Sequence, residues 1–290
     1  MVVSSLRVAV LCCDGLYQRH LVRRVAEAFT LVGVVLQVSP PDSRSWTTRL
    51  ARYRRPLRLL RQLIARVLLR PHDRRGAALQ RQLFHHNGAP PELPAEVPVL
   101  VTSAINEQRT ADFLRQLSAD IVLVNGTQLL RAPVLELIPS IRHGLINLHT
   151  GLSPYSRGAN CNLYMLLEGH PELVGVTVHH IDPGIDSGDI ILSARVPMEP
   201  DDDVETIEVR SFQVGIELLI EAARRLEAGT APRVPQWEKG KLFLRRTGYS
   251  YEPWQRLLAN RRIARGLVRT YLADQGRRDG AVRVVRGEQP

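Results

Sequence analysis

The sequence has few of the residue types and patterns that mark special classes of protein. Its three cysteines, Cys12, Cys13 and Cys161, form an odd set without metal-ligand spacing, which excludes a disulfide-stapled miniprotein and predicts a reducing, cytoplasmic compartment. No apolar run reaches the roughly 18 residues that cross a bilayer. The early run from Val8 to Cys13 stops at Asp14 and lacks a cleavage pattern, so it predicts a buried strand rather than a secretory signal.

Lysine is almost missing too, since two Lys stand beside 37 Arg, and this bias lowers the weight of arginine as a signal of any one partner. The formal net charge of +10 is concentrated in one place. The segment from Arg44 to His86 holds twelve Arg and one acid, Asp73, so its net charge of +11 leaves −1 for the remainder. The 44% hydrophobic and 23% charged residues are typical of a globular protein of one or two domains.

The Arg-rich insert, residues 44–86, has apolar residues at helical spacing with arginines between them, which predicts an amphipathic helix with a cationic face. The apolar residues are Leu57, Leu60, Ile64, Val67 and Leu68, and the arginines are Arg54, Arg58, Arg61 and Arg66. Three interpretations are open: a solvated or partner-facing structural helix, a patch for an anionic ligand or membrane surface, and a nucleic-acid-binding surface. The first is favoured, and specific nucleic-acid binding is not expected because no recognised motif accompanies the charge.

Apolar runs alternate along the chain with helical stretches, which is the order expected of an α/β protein. We predict an open, mostly parallel, Rossmann-like sheet with helices on both faces, plus a small C-terminal extension. Strands are predicted over 6–13, 31–38, 98–101, 120–125, 144–148, 175–181 and 190–196. Helices are predicted over 19–29, 108–117, 133–138, 160–168 and 201–227. A main domain over 1–229 is expected to precede an extension over 230–290, with a hairpin near 237–245, a helix near 253–271 and a frayed basic tail.

Polar residues concentrate between Asn147 and Asp189, at predicted strand ends, where open α/β sheets place ligands. Asn147 and His149 are two residues apart on one strand and therefore project on the same side. The loop over 150–158 follows, and its Pro and Gly residues suit a fixed cavity wall. A dinucleotide site after the first strand is not expected, because 12–15 lacks the spaced glycines that admit a pyrophosphate.

A second polar group follows the next strand. The turn 184–188 carries Asp186 between glycines, with Asp182 nearby. Adjacent His179 and His180 face opposite sides of a strand and no second ligand set is present, so no metal site is expected. One of the two histidines should border the cavity.

An amide, an imidazole and a carboxylate that converge without an obvious nucleophile fit acyl transfer to an incoming amine. The amine itself attacks, so the protein needs only to remove a proton and stabilise a tetrahedral oxyanion. A serine hydrolase is the nearest rival, but the sequence has no Gly-x-Ser-x-Gly elbow, and Ser153 before Pro154 is a poor substitute.

Three ordered motifs resemble the folate-dependent formyltransferase family, which includes glycinamide ribonucleotide, methionyl-tRNA and sugar-nucleotide N-formyltransferases. They are Ile146-Asn-Leu-His149 with Pro154-Tyr-Ser-Arg-Gly158, then Gly175-Val-Thr-Val-His179, then Asp182-Pro-Gly-Ile-Asp-Ser-Gly188. The resemblance implies a catalytic domain over 1–229, 10-formyltetrahydrofolate as formyl donor, and Asn147, His149 and Asp186 as the catalytic trio. It implies that Asn147 donates to the oxyanion, His149 handles the proton and Asp186 orients His149 or accepts the amine proton.

The resemblance also implies where the two substrates bind. The folate would contact Gln128, Leu129, Leu130, Ile181, Asp182, Gly184 and Ile185. His179 matches a family position beside the site, and the acceptor is expected to contact Arg157, Asn160 and His179. Arg157 suits a diphosphate, although it could equally brace its loop.

The acceptor is predicted to be a small-molecule primary amine, first of all a nucleotide-linked amino sugar. A hydroxylamine or amino-acid amine and glycinamide ribonucleotide are alternatives of the same class. The pattern after Gly229 does not suggest the five-stranded barrel of tRNA-formylating members, which argues against initiator tRNA. The extension is similar to ones that often form a dimer contact, so a homodimer is possible. A catalytically silent scaffold that uses its cationic helix on a membrane surface or partner is the alternative of another class.

Overall fold

The computed structural model describes residues 4–38, 56–249 and 251–287. The first part of the insert, residues 44–55 with Arg54, lies outside the described residues. The strands are β1 Ser4–Cys13, β2 Phe29–Gln37, β3 Val99–Thr102, β4 Ile121–Asn125, β5 Leu145–His149, β6 Ser156–Gly158, β7 Gly175–His180, β8 Ile190–Arg195 and β9 Lys241–Phe243. The α-helices are α1 Leu16–Ala28, α2 Pro56–Phe84, α3 Gln108–Gln116, α4 Cys161–Glu168, α5 Val204–Ala228, α6 Pro253–Ala264, α7 Leu267–Ala273 and α8 Gln275–Gly280.

Seven strands form one sheet in the order β3-β2-β1-β4-β5-β7-β8. The first five in this order run parallel, whereas β7 runs antiparallel to both β5 and β8. The predicted open, mostly parallel α/β sheet is therefore confirmed. The antiparallel β7 returns the chain beside β5, which pairs Thr177 with His149 at the carboxyl end of β5 and places His179 beside Asn147.

Both faces of the sheet are buried, which explains the continuous apolar runs of its strands. Along β1, Val8 and Val10 face one apolar core and Ala9 and Leu11 face the other. The core on the first side is covered by α1, α4, α5 and the end of α2, and the core on the second side by α3 and a 3₁₀ turn at Leu135–Ser140. The alternation of side chains along each strand thus builds the two layers of helices.

The long helix α5, which packs against the sheet, begins later than the sequence predicted. Asp203 caps it, because its side chain accepts a hydrogen bond from the Thr206 N–H at 2.8 Å and its own N–H donates to Thr206 Oγ1 at 3.0 Å. This reciprocal pair satisfies two donors that a helix start leaves open. The acids at 201 and 202 therefore precede the helix.

The insert forms the predicted helix, α2, but the predicted apolar face does not pack on the core. Leu57, Leu60, Ile64, Val67 and Leu68 are exposed, whereas Ala65 and Leu69 are buried. The first half of α2 therefore packs on the rest of the protein through a different, narrower apolar face that contains Ala65 and Leu69.

The C-terminal extension differs from the prediction in three respects. The hairpin near 237–245 was wrong, because its one strand, β9, pairs in parallel with β6 and its Phe243 stacks on Tyr164 with ring centroids 4.9 Å apart. The single helix near 253–271 is two helices, separated at Gly266, whose φ of 98° ends the helical path. The tail is not frayed up to 287, since Val285 is buried and exchanges 2.8 Å hydrogen bonds with Ser193.

Within the described ranges, no helix combines the length and apolar character that crossing a bilayer requires.

Candidate active site

Three elements bring the predicted catalytic residues together at the carboxyl end of the parallel strands. Asn147 and His149 lie in the second half of β5, and their side chains project from the same side of the strand. The antiparallel register pairs Asn147 with His179 on β7. The turn after β7 then carries Asp186 back towards both.

The amide of Asn147 is oriented by His179. The His179 Nδ1 atom lies 2.8 Å from the carbonyl oxygen of His180, so this nitrogen carries the proton and donates it. The other ring nitrogen, Nε2, is then an acceptor, and it lies 3.1 Å from Nδ2 of Asn147. Asn147 Nδ2 also lies 3.4 Å from Asp186 Oδ1. Because this hydrogen bond is long, the same N–H can donate to the carbonyl oxygen of a bound substrate instead. His179 therefore fixes which end of the carboxamide faces the cavity.

The basic nitrogen of His149 faces Asp186. His149 Nε2 donates to the carbonyl oxygen of Ser156 at 3.2 Å, which leaves the lone pair on Nδ1. Nδ1 lies 3.5 Å from Oδ2 of Asp186. Burial lowers the pKa of His149 below the ordinary histidine value, and the nearby carboxylate only partly offsets this effect. At neutral pH the imidazole is therefore uncharged and can accept a proton at Nδ1.

Asp186 is ionised and held from several sides. Burial alone would raise its pKa, but the His149 and His179 imidazoles and the N–H of Gly158, which donates at 2.9 Å, lower the pKa below the ordinary aspartate value. Its φ of 47° is left-handed, which turns the carboxylate back into the site. Gln236 donates to the Asp186 carbonyl oxygen at 2.7 Å. The carboxylate can thus stabilise a protonated His149.

A cavity of about 400 Å³ opens in front of these groups. All seven residues predicted to bind the folate line it, together with the catalytic trio and His179. Leu129 exposes 42% of its surface into this region, whereas Leu130 is buried beneath it. An apolar wall with a few directed polar groups is typical of a site for a flat organic ligand.

Two residues predicted to bind the acceptor lie elsewhere. Arg157 is on β6, is absent from the cavity wall, and has a buried Nε atom without a hydrogen-bond partner. Asn160 lines a second cavity of about 330 Å³. This cavity shares Thr150 and Phe212 with the first, so the two cavities adjoin beside the trio.

A formyl transferase family model matches residues 67–223, more than half of the chain. The chain belongs to the formyl transferase family. The match covers β5, β7 and the turn with Asp186, and therefore the trio and the predicted folate contacts.

Curated relatives of this formyl transferase include methionyl-tRNA formyltransferases. The one from Symbiobacterium thermophilum is 37% identical over 148 residues, which are 51% of this chain and 44% of the relative. The one from Syntrophus aciditrophicus is 35% identical over 142 residues, 49% of this chain and 44% of the relative. The matched part of the chain therefore spans less than half of these relatives' length.

Solved structures share the fold at low identity. Phosphoribosylglycinamide formyltransferase from Anaplasma phagocytophilum has a TM-score of 0.51 at 16% identity, covering 82% of this chain and 99% of that one. A sugar N-formyltransferase from Shewanella sp. has a TM-score of 0.50 at 16% identity, covering 89% and 87%. At this identity the likeness concerns the formyl transferase fold alone.

Sequence reasoning missed a set of glutamine and asparagine side chains that hold the formyl transferase site. Gln18 donates to Asn125 at 2.7 Å, and Asn125 donates to the carbonyl oxygen of Leu148 at 3.0 Å, between Asn147 and His149 on β5. Gln37 accepts from the N–H of Gln128 at 2.7 Å. Asn125 and Gln37 each end an apolar strand, and that position was the available signal.

Proposed function

We propose that the protein transfers a formyl group from 10-formyltetrahydrofolate to a primary amine. The observation that carries this proposal is the trio: Asn147 Nδ2 and His149 Nδ1 both lie within 3.5 Å of the Asp186 carboxylate, at one end of the cavity. Among the described residues that line this cavity there is no serine or cysteine, and the acceptor amine is therefore proposed to attack directly. We place the reaction in the cytoplasm, in keeping with the free thiols of Cys12, Cys13 and Cys161.

The three side chains divide the work. As the amine nitrogen adds to the formyl carbon, the Asn147 N–H donates to the oxygen that gains negative charge. His149 Nδ1 takes the proton released by the amine, and the Asp186 carboxylate stabilises the imidazolium that forms. The bond from carbon to the N10 atom of the folate then breaks, and His149 returns the proton to N10. The products are an N-formyl amine and tetrahydrofolate.

The folate is proposed to lie against two walls, residues 128–130 and 181–185. The turn between β7 and β8 is rigid, because Asp182 accepts hydrogen bonds from the Gly184 N–H at 3.1 Å and from Ser187 Oγ at 2.8 Å. Exposed Leu129 offers an apolar contact for the pterin ring, and backbone groups of both walls can meet its edge.

The acceptor is proposed to be a nucleotide-linked amino sugar. The second cavity supports this choice, since it adjoins the trio and is lined by amide, hydroxyl and carboxyl groups that suit sugar hydroxyls, including Asn160, Asn162, Glu208 and Ser211. The described residues beyond 229 form helices and one short strand rather than a five-stranded barrel. A hydroxylamine or amino-acid amine and glycinamide ribonucleotide are the alternatives.

Methionyl-tRNA is a second candidate acceptor, because the curated relatives with 35 to 37% identity carry that activity in their names. Tetrahydrofolate release, followed with each acceptor in turn, separates the candidates. Amino-sugar nucleotides, ornithine derivatives, glycinamide ribonucleotide and methionyl-tRNA form the panel. Turnover with an amino-sugar nucleotide alone is the expected result, and turnover with methionyl-tRNA alone favours the second candidate. Absence of release with every amine, together with absence of folate binding, would refute formyl transfer.

A further inference from the structure

An apolar stripe runs along the outer side of the first half of α2. Its side chains are between 46% and 81% exposed: Leu57, Leu60, Leu63, Ile64, Val67 and Leu68. With Leu258 of α6, they make up seven of the eleven exposed large apolar side chains found in the described ranges. Spacings of three and four residues place them on one side of the helix, over a length of roughly 18 Å. Such a concentration marks an interaction surface rather than ordinary exposure.

The stripe continues across a groove onto α6. This groove has a volume of about 400 Å³ and is lined on its far side by Trp254, Leu257 and Leu258. The Arg61 guanidinium lies 4.0 Å from the centroid of the Trp254 ring. The two helices thus form one continuous apolar surface, the α2–α6 face, and none of its side chains belongs to the catalytic cavity.

Arginines border the α2–α6 face on more than one side. Arg61, Arg66 and Arg70 are exposed on α2, and Arg261 and Arg262 are exposed at the end of α6. The sequence has no acid from Arg44 to His72. The next one, Asp73, is ion-paired with Arg256, so it does not neutralise this border.

We propose that the α2–α6 face docks the protein onto the surface of an anionic lipid bilayer. An apolar stripe flanked by arginines lies in the plane of such a surface, with its leucines among the acyl chains and its guanidinium groups among the phosphates. A bilayer supplies the negative charge that this border requires. A two-fold pairing of the face with a second copy would instead bring Arg61, Arg66 and Arg70 of both copies together, and the described part of α2 before Asp73 has no acid to offset them. This proposal is independent of the amine that the enzyme formylates.

Vesicle flotation with the full-length protein tests the proposal. Phosphatidylcholine vesicles with and without phosphatidylglycerol are compared at low and high salt. We expect flotation with the anionic vesicles at low salt and its loss at high salt, because both apolar insertion and charge attraction contribute. Absence of flotation with the anionic vesicles at low salt would overturn the proposal.

Two double variants separate the contributions, and all four positions are exposed. Leu60→Ser with Ile64→Ser removes part of the stripe, and Arg66→Glu with Arg70→Glu reverses part of the border. Each is expected to weaken vesicle binding at least about tenfold. Arg109→Glu with Arg142→Glu is the matched control, since it changes net charge equally at exposed positions on the side of the sheet that carries α3.

Two outcomes contradict the proposal although the protein folds. One is equal loss of binding in the control variant, which would show that net charge alone decides. The other is a dimer that the Leu60→Ser, Ile64→Ser variant converts to a monomer without any change in flotation, which would assign the face to contact between copies. Formylation of a soluble acceptor should be unchanged in all variants, so a failure here is distinguishable from a failure of the proposed reaction.

Discussion

Gly151→Ala is expected to disable the site through a methyl group that never touches substrate. Gly151 follows His149 by two residues, and its backbone lies against both the imidazole ring and the start of α4. A Cβ atom at this position would stand 2.7 Å from Cys161 Cβ and 3.0 Å from His149 Cδ2, and closer still to His149 Nε2. Two non-bonded carbon atoms are ordinarily at least about 3.5 Å apart, so the imidazole ring of His149 must move by about 1 Å.

The size of the effect follows from that displacement. A shift of about 1 Å in a catalytic group can lower kcat by ~100-fold, because the group no longer meets the reacting atoms. The movement also breaks the 3.2 Å hydrogen bond between His149 Nε2 and the Ser156 carbonyl oxygen, which fixes the tautomer. Overpacking of this kind costs about 1–3 kcal/mol of the free energy of unfolding.

Steady-state kinetics and thermal unfolding of the same preparations check the prediction. We expect a folded Gly151→Ala protein with a lower Tm, a kcat reduced by about two orders of magnitude and little change in folate affinity. Gly276→Ala is the control, because its added Cβ would meet nothing within 4 Å beyond its chain neighbours and the backbone of its own helix. A Gly151→Ala protein with wild-type kcat would refute the argument that the packing against Gly151 positions His149.

Four further predictions concern the trio and its support. Asn147→Ala should lower kcat by ~100- to 1000-fold with circular dichroism unchanged, since an oxyanion donor is lost; a drop below tenfold would contradict that role. Because His149 must be uncharged to act as base and burial lowers its pKa, kcat/KM should rise with pH through a midpoint below about 6.5 and then stay level. Asp186→Asn removes the charge that raises this pKa, so the remaining activity should reach its plateau at still lower pH; a shift to higher pH would contradict the assignment. Gln236→Ala should lower kcat and leave KM for folate nearly unchanged, because the Asp186 carbonyl oxygen loses its hydrogen bond. Gln236→Glu should have the same low kcat, because a carboxylate cannot donate that hydrogen bond.

Local patterns predicted the sheet and the β5 part of the site because they depend on short-range geometry. Alternation along a strand is enough to place Asn147 and His149 together, and apolar runs are enough to mark β1 and β4. Helix starts were less accurate: α1 begins at Leu16 rather than 19, since its N-cap residue is Gly15, which has no side chain to give a capping signal.

Long-range pairing was beyond the reach of such patterns. Lys241–Phe243 reads as half of a hairpin, yet its partner is β6, more than 80 residues earlier. Nothing local showed that Ala65 and Leu69, rather than Leu60 and Ile64, would face the core. Gln236 likewise gives no signal in the sequence, because its role depends on the position of the Asp186 turn.

The extension also supports the candidate active site, although its described residues contribute none of the trio. Strand β9 pairs with β6, whose Gly158 N–H donates to the Asp186 carboxylate, and Gln236 holds the other side of the same turn. A chimaera in which all residues after 229 are exchanged to alter acceptor choice would therefore also disturb the position of Asp186 relative to His149. Designers who want new specificity should retain residues 236–243 and vary the helices that follow.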